Sequence, residues 1–151
     1  MTHILIGGET VSKNKLDYAI VSIKKLNIRV TPQRVAILEY LLTSGLHPTV
    51  DEIYRAVKNK FPSICLTTIY NNLNTLCEVG LVRELKFGNT PSRFDGNVKE
   101  HYHIICNNCN TVIDLHYPLL KEIEVFAEQI ADFKVSHHRF EVYGECTTCS
   151  A

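Results

Sequence analysis

Two Cys-x-x-Cys pairs, Cys106–Cys109 and Cys146–Cys149, constrain this chain more than any other feature. Each pair makes a tight knuckle that aims two sulfurs at one point, and four thiolates give a closed tetrahedral zinc site. Thirty-six residues separate Cys109 from Cys146. A shared metal therefore clamps the C-terminal end back onto the segment before Cys106 and encloses a helix between them. A redox dithiol or an iron–sulfur cluster is the weaker reading. The opening residues, Met1–Thr10, lack the pattern of a secretory signal and read as a loose leader. Metal rather than disulfide, and a cytoplasmic location, follow as expectations. Cys65 and Cys77 stand alone in a predicted helical region and read as buried small hydrophobes.

The first cysteine pair directly follows His101-Tyr102-His103. On a strand, residues two apart share a face, so both imidazoles project together. Asp114 falls on the next predicted strand, and His116 on the same side is a spare donor. His137 and His138 fall on opposite faces of a later strand, so at most one contributes. Imidazoles with carboxylates suit iron or manganese, where four thiolates suit zinc. His47 alone reads as a capping or surface histidine, and Asp95 and Asp114 singly as solvated carboxylates. If His47 and Asp95 join the histidine pair, one metal ties two domains together.

The rest of the chain supplies those domains. Residues 12–27 repeat Leu16, Ala19, Ile20, Ile23 and Leu26 at helical spacing. Thr31-Pro32 caps and opens a second helix that Gly45 ends. Thr49-Val50-Asp51-Glu52 is a capping box for a third helix, which Pro62 closes. A fourth runs over about 66–79 before Gly80, with Leu66, Ile69, Leu73 and Leu76 as its apolar stripe. Its opposite surface carries Thr67, Thr68, Asn71, Asn74 and Thr75, with Tyr70 at the edge. Amide and hydroxyl groups on an uncharged face suit hydrogen bonds to base edges. Residues 81–95 read as a β-hairpin. Helices followed by a hairpin are a winged helix-turn-helix pattern.

The expected class is therefore α+β: an N-terminal winged helix-turn-helix domain over 1–95 (1–11 a leader), a hinge over 96–101, and a small α/β dimerisation domain over 102–151. Strands are predicted over 102–105, 111–116 and 134–143. A helix opened by Pro118 places Leu119, Ile123, Phe126, Ala127 and Ile130 on one face. A domain of that size buries too little surface to fold unaided, so a metal and a symmetric dimer contact are both expected. Net charge is zero, but residues 1–95 carry 12 Lys/Arg against 8 Asp/Glu, and the remainder 4 against 8. The basic half is the one expected to face nucleic acid. No apolar run approaches the roughly 20 residues that span a bilayer.

Thr31-Pro32-Gln33-Arg34, His47-Pro48-Thr49, Thr68-Ile69-Tyr70-Asn71-Asn72-Leu73, Ser92-Arg93-Phe94-Asp95, His101-Tyr102-His103 and the two cysteine pairs, in this order, resemble the ferric uptake regulator family, most closely its peroxide-responsive members. The match covers about residues 15–149. The resemblance implies a homodimeric repressor of A/T-rich palindromic double-stranded DNA. It implies structural Zn(II) on Cys106, Cys109, Cys146 and Cys149, and regulatory Fe(II) or Mn(II) on His47, Asp95, His101, His103 and Asp114. Arg29, Thr67, Thr68, Tyr70 and Asn71 match DNA-contacting positions, and His47 and His101 match the histidines that peroxide oxidises on iron. Asn74 and Cys77 stand where arginine is common in the family. Tyr102 and Glu100 depart from the donors of a further metal site. An iron- or zinc-uptake regulator of the same family is the alternative. An enzyme is not expected: His-Glu-x-x-His and the deaminase His-x-Glu with Pro-Cys-x-x-Cys are absent, and four thiolates leave zinc no open position.

Overall fold

The computed structural model describes residues 8–150, with side chains from residue 14 onward. The chain divides into two compact units, Met1–Val98 and Lys99–Ala151.

In the first unit four helices precede a hairpin: α1 (Gly8–Lys25), α2 (Pro32–Ser44), α3 (Val50–Lys58), α4 (Leu66–Glu78), β1 (Arg83–Leu85) and β2 (Arg93–Asp95). Helix α1 begins at Gly8 rather than at residue 12, because each added residue extends a nucleated helix by one backbone bond. Residues 1–7 of the expected leader lie outside the described residues. Thr31 caps α2 by accepting the Arg34 N–H, and Gly45 ends it at φ 60°, a conformation glycine adopts without strain. Thr49 and Glu52 form the complete capping box on α3.

Ile23, Ile37, Leu38, Ile53, Ile69, Leu73 and Leu76 are fully buried and, with Phe94 from β2, form the core of this unit. Leu66, expected on the α4 stripe, is instead exposed at the first turn, where α4 has left the core. Truncating Leu73 to alanine is expected to cost about 2–5 kcal/mol in denaturant unfolding, since the cavity opens at the centre of the helix packing.

The capping box carries its own pH signature. Partial burial works against the Glu52 carboxylate, but the Thr49 N–H and hydroxyl and the Arg93 charge outweigh it and pull its pKa below the usual value. A lowered folded-state pKa gives stability that is present above the unfolded value and lost as pH falls through the folded one. The stability gap between wild type and Glu52→Gln is therefore expected to be present at neutral pH and to close in acid, below the normal carboxylate range.

The wing is short. β1 and β2 pair antiparallel with Arg83 opposite Asp95, and Gly88 takes the turn at φ 53°. β2 also docks on the α2–α3 loop: Phe94 N–H donates to the Pro48 carbonyl at 2.9 Å, and the Arg93 guanidinium donates to the His47 carbonyl at 2.8 Å. A Cβ on Gly96 would meet the Leu41 backbone at 3.1 Å, so the chain leaves the wing pressed against α2.

In the second unit β3 (Tyr102–Cys106) is the central strand of three. β4 (Val112–Leu115) pairs with it antiparallel, and β5 (Glu141–Gly144) pairs parallel on its other side after α5 (Lys121–Ala131). Three expectations are corrected. His101 precedes β3 by one residue. The helix opens at Lys121, not at Pro118, because the Tyr102 hydroxyl takes the Leu120 N–H at 2.7 Å and holds Leu120 outside helical geometry. The last strand spans only Glu141–Gly144: its register sets His103 opposite Glu141, so a strand reaching back to Lys134 would need partners before β3 begins. His137 and His138 are therefore not on a strand. No side chain of α5 is buried, and Ile123, Val125, Phe126 and Ile130 all face outward.

Candidate metal centres and nucleic-acid face

The parallel β3–β5 pairing builds the cysteine cluster. Cys106 ends β3 opposite Gly144, and Asn107 N–H donates to the Gly144 carbonyl at 2.8 Å. This sets both knuckles at the same end of the sheet. The Cys146 N–H reaches the Cys106 sulfur at 3.3 Å, and the Cys109 and Cys146 sulfurs lie 3.7 Å apart. All four sulfurs lie within 4.8 Å of one another. Tetrahedral zinc with bonds near 2.3 Å needs sulfur separations of about 3.8 Å, so the cluster fits a closed structural zinc site.

The electrostatics agree. The N–H groups of Cys109, Cys146 and Asn108 converge on Cys106 and hold its thiol down to about 6. The Thr111 hydroxyl and N–H lower Cys109. Cys149, sharing hydrogen bonds with the sulfurs of Cys146 and then Cys109, is pushed up to about 12. Sulfurs this close repel as thiolates, a conflict that a divalent cation resolves.

The histidines and carboxylates form one group in each unit. In the first, the docking of β2 on the α2–α3 loop sets His47 Nε2 3.9 Å from Asp95 Oδ2, with both residues about 95% buried. Asp95 Oδ1 accepts the Asn97 N–H at 2.6 Å, which turns Oδ2 toward the imidazole. In the second, His103 lies opposite Asp114 in the β3–β4 register. His101 and His103 stand edge to face, ring centres 4.5 Å apart, with their Nε2 atoms 3.1 and 3.9 Å from Asp114 Oδ1. His101 Nδ1 lies 2.8 Å from the Lys99 carbonyl. A carbonyl only accepts, so Nδ1 carries a proton, and Nε2 is the ring atom turned toward the carboxylate and the one a metal would use. Each group is an imidazole–carboxylate set of the kind that suits Fe(II) or Mn(II). His116 is exposed beyond the end of β4, and His137 is exposed and bonded to Ser136.

His138 has a different task. It bridges the buried Tyr102 hydroxyl (2.6 Å) and the Glu124 carboxylate (2.7 Å), and that contact is the first cause of the lowered Glu124 pKa. Sequence reasoning misses this network because it puts His138 on a strand and weighs Tyr102 only as a departure from the donors of a further metal site.

On α4, Thr67, Tyr70, Asn71 and Asn74 are exposed and Thr68 is half-buried. Arg29 is exposed in the loop before α2. Cys65 was expected to be buried and is not: it occupies the N-cap position of α4, exposed, with its sulfur 3.2 Å from the Thr68 hydroxyl. Cys77 is half-buried against the core. Among the described residues no helix is long and apolar enough to cross a membrane.

The chain is similar to known proteins over most of its length. The peroxide-responsive repressor PerR of Staphylococcus epidermidis is 50% identical over 136 residues, covering 90% of this chain and 91% of that one. The peroxide operon regulator of Bacillus subtilis is 49% identical over 140 residues, covering 93% and 97%. The crystal structure of the Campylobacter jejuni peroxide stress regulator superposes with a TM-score of 0.69 at 35% identity, covering 86% of this chain and 98% of that one. Residues 25–143 match the model of the ferric uptake regulator family. With that match spanning most of its length, this chain belongs to the ferric uptake regulator family.

Proposed function

We propose that this protein is a metal-dependent, homodimeric transcriptional repressor that senses peroxide. The observation that carries the proposal is the pair of imidazole–carboxylate groups, one in each unit, in a chain about half identical to proteins named for their response to peroxide. His47 and Asp95 from the first unit, with His101, His103 and Asp114 from the second, would together hold one Fe(II) or Mn(II). Cys106, Cys109, Cys146 and Cys149 would hold Zn(II). The donor sets fit these assignments: nitrogen and oxygen for the regulatory metal, sulfur alone for zinc.

Joining the two groups fixes the units, and in a dimer it sets two α4 helices for successive major grooves of an A/T-rich palindrome. Tyr70, Asn71, Thr67 and Thr68 would read base edges, with Arg29 as an outlying contact. The exposed apolar face of α5, with Ile123, Phe126 and Ile130, supplies the dimer contact. When bound, Fe(II) supplies the electron that reduces peroxide, which Mn(II) does not. The O–O bond of peroxide would break at this site: one oxygen would end on a ring carbon of His47 or His101, in place of its hydrogen, the other would leave as water, and the oxidised ring would be a poorer ligand. The two units then separate and DNA is released. The damage is confined to the open site, so the cysteine cluster keeps its fold. This is a single-use switch, a regulator rather than an enzyme.

The test is metal exchange. Mild chelation of the exchangeable site is expected to abolish specific DNA binding while one zinc stays per chain. Fe(II) or Mn(II) is expected to restore binding. Restoration by zinc alone would favour an uptake regulator instead.

A further inference from the structure

We infer that Arg34 is a positioning residue for DNA recognition: its guanidinium ties the loop bearing Arg29 to the first turn of α4 and sets the spacing of these two elements without touching DNA. The inference rests on the proposed DNA-binding role of this unit. Arg34 Nε donates to Asn72 Oδ1 at 3.0 Å, and Nη1 donates to the Arg29 carbonyl at 2.5 Å. Asn72 Nδ2 in turn donates to the Thr68 carbonyl at 2.7 Å. The Arg34 backbone is pinned as well, because its N–H donates to the capping hydroxyl of Thr31. One unbroken chain of hydrogen bonds thus runs from Arg29 to Thr68.

Asn72 explains why the chain is built this way. It is the buried polar residue of α4, next to the exposed Asn71. A buried amide is costly unless both ends are bonded, and here the oxygen accepts from Arg34 while the nitrogen donates to Thr68. Only a planar fork sends two donors in fixed, divergent directions, one to a side chain and one to a backbone carbonyl; a lysine ammonium does not reproduce it. An arginine beside a DNA-reading helix is ordinarily a phosphate contact, but this one commits Nε to the buried Asn72 and Nη1 to the Arg29 carbonyl. Exposed Arg29 and the exposed face of α4 are the two surfaces whose separation the chain fixes.

The experiment uses full-length, metal-loaded protein and a duplex that the wild type selects from a random-sequence library. Arg34→Lys and Arg34→Gln are both expected to weaken binding roughly tenfold or more, and Asn72→Ala, which breaks the chain from the other end and leaves every cation in place, to do the same. In an Arg29→Ala background the Arg34 substitutions are expected to add little, and the salt dependence to stay at the Arg29→Ala value. A direct phosphate contact predicts the opposite: Arg34→Lys retains affinity, the losses at Arg29 and Arg34 multiply, and Arg34→Gln lowers the salt slope by about one. Any of these overturns the inference and leaves the DNA-binding reading standing. Failure of the wild type to select any duplex would instead overturn that reading, and this one with it.

Discussion

Cys109→Ser is expected to strip the zinc and unfold the second unit while the first stays folded. The physical case lies in where the core is. Every residue of the main hydrophobic cluster belongs to the first unit, from Ala19 to Phe94. In the second, the buried residues are Tyr102, His103, Ile105, Cys106 and Val112, and α5 buries nothing. A unit this small needs a metal or a partner to offset the entropy of ordering its chain. The cysteine cluster also ties β5 to β3 and so closes the crossover through α5. Serine is not ionised at neutral pH and does not replace a thiolate. Limited proteolysis with metal analysis checks this: the variant is expected to lose zinc, lose dimerisation and be cut throughout Lys99–Ala151, leaving the helical unit intact. A variant that keeps its dimer and its sheet without zinc would remove the structural role of the cluster.

The second large effect is expected at the regulatory site. His47→Gln takes one imidazole from the α2–α3 loop without disturbing the Phe94–Pro48 and Arg93–His47 backbone contacts that hold the wing. Zinc content and thermal unfolding of the helical core are expected to stay near wild type, while DNA affinity in saturating Mn(II) falls to the metal-stripped level. Coupling between two ligands through a two-state element is typically about 5- to 150-fold, and the loss is expected in that range. Asp114→Asn, from the other unit, is expected to weaken DNA binding the same way. Equal DNA affinity for wild type and His47→Gln in Mn(II), measured by fluorescence anisotropy, would separate His47 from metal-dependent control.

Much of this fold was legible because its signals are local. Thr31-Pro32, Gly45 and the Thr49–Glu52 box are short-range devices, and the helices they bound start and stop accordingly. The cysteine cluster was legible because knuckle spacing is itself geometry. The errors fall where a distant partner decides. Leu120 leaves helical geometry because Tyr102, far back in the chain, captures its N–H. The last strand is short because β3 offers no partner before Tyr102. Helical spacing puts Asn71 and not Asn72 on the exposed face of α4, but the partner that satisfies the buried Asn72, Arg34, lies far back in the chain. The pairing of His47 with Asp95 depends on how β2 docks on a loop, which no periodicity encodes.

The most direct test of the central claim is peroxide treatment of the same protein loaded with Fe(II) or with Mn(II), followed by DNA binding and peptide mass analysis. The account predicts that the Fe(II) form releases DNA and gains one oxygen atom on the peptide holding His47 or His101, while the Mn(II) form keeps its DNA and is unmodified. Retention of DNA by the Fe(II) form with no oxygen gained, or release that tracks oxidation of Cys106, Cys109, Cys146 or Cys149 and loss of zinc, would contradict it.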